Sequence, residues 1–381
     1  MRKLITFFTL FFSFFLCSQE PLFTLLDESK TGIDFSNDLV DTEEHSIFLY
    51  ANYYGGAGVG IGDFDNDGLE DIFLAANLLD DKIYKNLGNL KFEDKTKMSG
   101  IINNGSWSTG VTVADVNNDG LLDIYVSCEL YDDLPILRTN KLYINKGNFK
   151  FKESAEDWGV DVDRRTRHSV FFDFNNDGLL DLYLLNHPPN TGNFSPFFGT
   201  DMTLPEYNLQ LFENKGNHFE DVTESAGLDR SGFPNAAVIG DFNKDGWPDI
   251  YVANDFDAPD FLYFNNKDGS FTYKTETSLR HTSFYSMGVD AADINNDSHL
   301  DLMVLDMTAE DNFRLKSNMS GMNPDSFWSV VNGGGHYQYM FNTLQINNGN
   351  NTFSDIAQLT GTAATDWSWA SLVADFDNDG N

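Results

Sequence analysis

Short apolar runs of four to seven residues recur along this chain, each bounded by Gly, Asn or Asp, and a 3.6-residue hydrophobic period is nearly absent. That pattern predicts strands and turns, not helices. The runs fall into repeating groups of four. A first strand is expected at 58–64, 110–116, 169–174, 236–242, 288–294 and 370–376, each leading into a polar bend. A β-branched and aromatic second strand leaves the bend at 72–75, 124–127, 182–185, 250–253 and 302–305. Third strands follow at 82–86, 141–145, 209–213, 261–265 and 343–347, and fourth strands surround Phe92, Phe151, Phe219, Phe271 and Phe353. A unit of four antiparallel strands repeated in this way is a propeller blade, so the fold class expected is all-β, a β-propeller with about five complete blades and part of a sixth.

The bends carry the chemistry. In the first, Asp63, Asp65, Asp67 and Asp71 sit at alternate positions with Gly68 between them. Bare, such charges repel; Ca²⁺, which takes six to eight oxygens, would relieve the repulsion. Leu69, at the seventh position, would add its carbonyl. The same loop returns as Asp115, Asn117, Asp119, Leu121 and Asp123, and then as Asp173, Asn175, Asp177, Leu179 and Asp181. It recurs as Asp241, Asn243, Asp245, Trp247 and Asp249, as Asp293, Asn295, Asp297, His299 and Asp301, and in part as Asp375, Asp377 and Asp379. First aspartates lie 52, 58, 68, 52 and 82 residues apart, and this recurrence makes a weak motif strong. An EF-hand would close on a glutamate at its twelfth position between two helices; here strands flank the loop. The first loop has the most carboxylates and is expected to bind tightest. The fifth has Ser298 where the others have glycine and is expected to bind weakest.

A net charge of −35, from 59 acidic and 24 basic residues, argues against nucleic acid as a partner, because no basic stripe is present to neutralise phosphates. Residues 1–18 read as a signal peptide: Arg2 and Lys3, then an apolar run too short to span a bilayer. Residues 19–381 would form one propeller domain, and the chain is expected to be a fragment, because its sixth loop stops before the ninth position. Secretion or cell-surface placement follows, with no transmembrane segment and with Cys17 lipidation as a second route to an outer-membrane or cell surface. Cys128 is then the remaining cysteine, expected as a buried small hydrophobe. Residues 22–27 echo a fourth strand and are expected to close the ring as the outer strand of its last blade. Insertions at 187–205 and 306–340 lengthen the third and fifth units.

The repeated Asp-Phe-x-x-Asp-Gly-x-x-Asp-Ile, Leu-Tyr-x-Asn and Phe-x-Asp elements resemble the FG-GAP/VCBS repeat family, in particular the branch with the cartilage acidic and ASPIC/UnbV proteins. The resemblance covers roughly residues 22–381 and implies a seven-bladed, integrin-α-like propeller with Ca²⁺ in the loop between first and second strands. It also implies an exported protein of adhesion or recognition with a protein or glycan ligand. Ser298 and the sixth loop depart from the family pattern. The alternative is a propeller enzyme, a polysaccharide lyase or hydrolase, using residues such as Arg167, His168, His187, His281, His336 and Tyr337 from the connecting loops. Their convergence in one pocket would favour it.

Overall fold

The computed structural model describes residues 23–376 except 51, 132, 189–203, 257 and 319–322. The signal segment, most of the 187–205 insertion, Asp377 and Asp379 therefore lie outside the described residues.

Five four-stranded antiparallel sheets follow one another along the chain. In the first, Val59–Gly62, Asp71–Leu74, Lys82–Asn86 and Phe92–Asp94 are neighbours in sequence order, with Ile61 opposite Ile72 and Ile72 opposite Tyr84. Blade two starts with Trp107–Ala114 and Asp123–Glu129, blade three with Arg165–Phe172 and Asp181–His187, blade four with Pro234–Gly240 and Asp249–Asn254, and blade five with Gly288–Ala292 and Asp301–Leu305. Second strands such as Asp123–Glu129 are buried along their whole length. That is why their sequences read as continuous apolar runs: both faces of each sheet are covered by its neighbours.

The core consequently lies between sheets. Phe73 and Ile83 of blade one meet Ile124 and Tyr143 of blade two, and the blade three and blade four sheets enclose Tyr183, Leu211, Ile250 and Tyr263. First strands of successive blades lie side by side, where Thr112 donates its hydroxyl to the Ser169 carbonyl at 2.7 Å and Thr109 to that of Thr166 at 2.8 Å. This is a propeller arrangement, with first strands inside and fourth strands outside. The five described acidic loops, which join first to second strands, emerge at one end.

Three expectations change. Residues 23–27 are extended but have no sheet partner, and Leu25 is exposed, so no outer strand forms there. Residues 370–376 form no strand either, although Val373 donates its N–H to Asp290 at 2.8 Å beside blade five. The 306–340 insertion contains helices Asn312–Asn318 and Pro324–Asn332. No helix among the described residues is long and apolar enough to cross a membrane.

Candidate metal centres

Each of the five described loops closes through the same hydrogen bonds. The first aspartate accepts from the N–H of the fifth position on one oxygen and from that of the sixth on the other. Asp67 and Gly68 donate to Asp63 at 3.0 and 2.7 Å, Asp119 and Gly120 to Asp115 at 3.0 and 2.8 Å, and Asp177 and Gly178 to Asp173 at 3.0 and 2.9 Å. Asp245 and Gly246 donate to Asp241, and Asp297 and Ser298 to Asp293, in the same way. The fifth-position carboxylate accepts from the seventh N–H: Leu69, Leu121, Leu179, Trp247 and His299 donate to Asp67, Asp119, Asp177, Asp245 and Asp297. At the third position Asn117, Asn175, Asn243 and Asn295 accept from the fifth N–H at 2.9–3.1 Å. The sixth residue has a positive φ of 84–88° in the glycine loops and 69° at Ser298.

The ninth-position aspartates are fully buried and bind two backbone N–H groups each. Asp71 accepts from Phe64 at 3.0 Å and Asn86 at 2.7 Å; Asp123, Asp181, Asp249 and Asp301 repeat this with Val116 and Asn145, Phe174 and Asn214, Phe242 and Asn265, and Ile294 and Asn347. Burial raises their carboxyls, to about 6 at Asp71 and about 7 at Asp123, Asp181 and Asp249, with the loop's other aspartates adding to the rise. A group held this way in a dry site gains from a nearby cation. Asp63, Asp65 and Asp71 have oxygens within 4.8 Å of one another, a cluster that could hold a metal ion. The other four loops have the same frame with an amide oxygen at the third position. The donor set in every loop is oxygen, and Asp65 keeps one buried oxygen with no hydrogen bond, so these residues fit a hard cation. Asp375, in the sixth loop, is the one member of its loop set among the described residues.

Two groups of residues escaped the sequence reading. Asn145, Asn214, Asn265 and Asn347 end third strands, and each donates to the second-position carbonyl of the preceding blade's loop, at Phe64, Val116, Phe174 and Phe242, over 2.7–2.9 Å. Their recurrence in the Leu-Tyr-x-Asn element was the available signal. Lys85 had none: its ammonium bonds Asp65 and Asp67 of the first loop, at 2.6 Å to Asp67.

The residues weighed for catalysis do not gather in one place. Arg167 and His187 meet at buried Glu129, with His187 Nδ1 3.3 Å from its carboxylate and Nε2 2.8 Å from the Pro234 carbonyl. Burial opposes the Glu129 charge, but His187 and Arg167 more than offset it and hold the carboxyl at about 2. His336 and Tyr337 line a separate cavity beside blade five, His281 pairs with Asp355 at 3.1 Å, and His168 pairs with Leu185 inside blade three. Cys128 is buried, and that burial pushes its thiol up to about 11.

The FG-GAP-like repeat family matches this chain at residues 63–126, 198–252 and 241–304. Loop three falls outside those stretches yet has the same bonds. Over 150 residues the chain is 29% identical to the phosphatidylinositol-glycan-specific phospholipase D of Bos taurus, covering 35% of this chain and 17% of that protein. The chain therefore spans about a sixth of that relative's length. Among solved structures, an Agrocybe aegerita lectin that recognises non-reducing terminal N-acetylglucosamine aligns with a TM-score of 0.43 at 16% identity, covering 78% of this chain and 64% of that one. A fructofuranosidase from Schwanniomyces occidentalis aligns with a TM-score of 0.36 at 9% identity, covering 71% and 56%. Recurring loops, repeated blades and the family match together make this a β-propeller chain that carries FG-GAP-like repeats.

Proposed function

We propose that this chain is an exported or cell-surface Ca²⁺-binding propeller, related to the cartilage acidic protein and ASPIC/UnbV branch, that serves as a recognition scaffold for a glycan or protein ligand. One observation carries the reading: five loops on successive blades repeat one all-oxygen cage down to individual hydrogen bonds. Side chains offering only carboxylate and amide oxygens suit Ca²⁺ over softer metals. The ion's role is structural, because each loop fastens first strand to second and, through the third-strand asparagine, blade to blade. In such a site Ca²⁺ neutralises converging carboxylates when bound. The protein positions the oxygens and keeps the ninth aspartate dry.

Ligand recognition fits the opposite end. There a cavity of about 460 Å³ is lined by Arg138, Arg164, Arg165, His187 and Tyr207, with Asp163 and Glu206. Three arginines at one opening of so acidic a chain suit an anionic sugar. Arg167 and His187 meet at buried Glu129 while His281, His336 and Tyr337 lie beside blade five, and this split into two places supports a scaffold over the polysaccharide-cleaving alternative. Export rests on Arg2, Lys3 and the apolar run after them.

Screening the protein on a glycan array, with Ca²⁺ or with excess chelator, tests both halves. Uronate or sulfate glycans should bind, and Arg164→Ala should weaken them. Chelation should lower the melting temperature by about 3–4 °C for each site held at about a hundredfold its Kd. A melting temperature indifferent to chelator would end the structural role given to Ca²⁺.

A further inference from the structure

We infer that Lys85 is a built-in counter-cation of the first loop, which cancels its extra carboxylate and removes the tighter Ca²⁺ binding that this carboxylate alone would give. The inference rests on the Ca²⁺ reading above. Loops three and five solve a local problem with an amide: Asn175 and Asn295 at the third position donate Nδ2 to the fifth-position carboxylates Asp177 and Asp297, each at 3.0 Å. Loop one has Asp65 there, which has no hydrogen to give, and faces Asp67 charge to charge. Lys85 replaces the missing donor. It stands on the third strand just before Asn86, where the other blades have Ile144, Glu213, Phe264 and Ile346, and its ammonium spans one oxygen of Asp65 and one of Asp67. It also lies 5.3 Å from the ring centre of Phe149 and is largely screened from water, with the side chain 18% exposed.

The ammonium therefore sits where the amide hydrogens sit in loops three and five, and its charge offsets the one carboxylate by which loop one exceeds them. The other Asp65 oxygen is left buried and unpaired inside the loop. Counted with Lys85, the first loop offers the same net charge as the second, so the ranking of these two that carboxylate number alone predicts does not follow. Binding strength for Ca²⁺ tracks the net charge of the ligand set.

The sixth-position glycines report each loop separately. In full-length protein labelled with ¹⁵N-glycine, Ca²⁺ is titrated while the amide signals of Gly68, Gly120, Gly178 and Gly246 are followed. Gly68 should reach its midpoint no earlier than Gly120 in the unaltered protein. In Lys85→Met, which keeps the stem of the side chain, its midpoint should fall at about tenfold lower Ca²⁺ as the loop's full charge is exposed. Melting in chelator should drop for Lys85→Met and hold for Lys85→Arg, which also keeps the Gly68 midpoint. If Gly68 saturates first in the unaltered protein, or Lys85→Met leaves its midpoint in place or raises it while Gly120 responds, the inference is overturned. If none of the four glycines moves, the Ca²⁺ reading falls and takes this one with it.

Discussion

Ser298 is the residue at which the loop's backbone and its side chain disagree. The sixth position needs φ near +85°, and Ser298 reaches +69° while its N–H still closes onto Asp293 at 2.7 Å. A residue with a Cβ pays roughly 1–2 kcal/mol for that region, which glycine does not. Replacing Ser298 with glycine should therefore stabilise the protein by about 0.5–1 kcal/mol after the added freedom of the unfolded chain is subtracted. Urea unfolding in Ca²⁺ measures it, and a lower midpoint for the glycine variant would count against the strain. Strain of this kind was legible in the sequence, because a serine among five glycines at one motif position can be seen without coordinates. The partner of Asp65 was not: Lys85 lies 20 residues away on another strand, and no local spacing announces a contact made across a blade.

Between elements, the third-strand asparagine is the fastening. Asn214 Nδ2 donates to the Val116 carbonyl of the preceding blade at 2.9 Å and to the Leu180 carbonyl of its own blade at 3.0 Å, its N–H reaches Asp181, and its Oδ1 accepts from Gly216. Truncation to alanine leaves two buried carbonyls and a turn N–H without partners. Asn214→Ala should cost about 2–4 kcal/mol, from roughly 1–3 for each stranded group with partial rescue by water. Chemical denaturation would read the loss, and because Asn214 also positions Asp181, the midpoint for Ca²⁺ at Gly178 should rise with it. A variant as stable as the parent would mean that the inter-blade carbonyls find other donors. The strands themselves were readable from apolar runs, since both faces of each sheet are buried. Helices Asn312–Asn318 and Pro324–Asn332 were not, because they sit in an insertion whose polar, glycine-rich flanks mask a short period. The absent strand at 23–27 fails for a different reason: an outer strand is defined by its neighbour, and sequence similarity to Phe92 says nothing of what it pairs with.

At the scale of the molecule, one short segment holds two places at once. Gly32 ends the helical turn Glu28–Thr31 at φ +82°, and a Cβ there would lie 2.5 Å from the Phe92 carbonyl of blade one. Gly100 stands in the same relation to Phe151 of blade two at 2.6 Å, and Gly227 to Phe271 of blade four at 3.1 Å. Tyr84 donates to Asp34 at 2.8 Å as Tyr143 donates to the Ile102 carbonyl at 2.9 Å. Residues 28–34 therefore occupy the outer turn of the unit before blade one. Nine residues upstream of Gly32, Phe23 stacks edge-on against Phe376 of the sixth loop at 5.8 Å, where Phe151 meets Phe64 at 5.9 Å and Phe271 meets Phe174 at 6.2 Å. That is the seat of a fourth-strand phenylalanine in the unit after the sixth. A segment packed against both the sixth loop and blade one bridges the two ends of the described units. Gly32→Ala should then cost about 2–3 kcal/mol, the left-handed strain plus the collision with blade one. Gly105→Ala, at φ +80° with open space around its Cβ, should cost only the strain, about 1 kcal/mol. Urea unfolding of the two variants side by side isolates the docking contribution, and equal losses would show that residues 28–34 are not seated on the first blade.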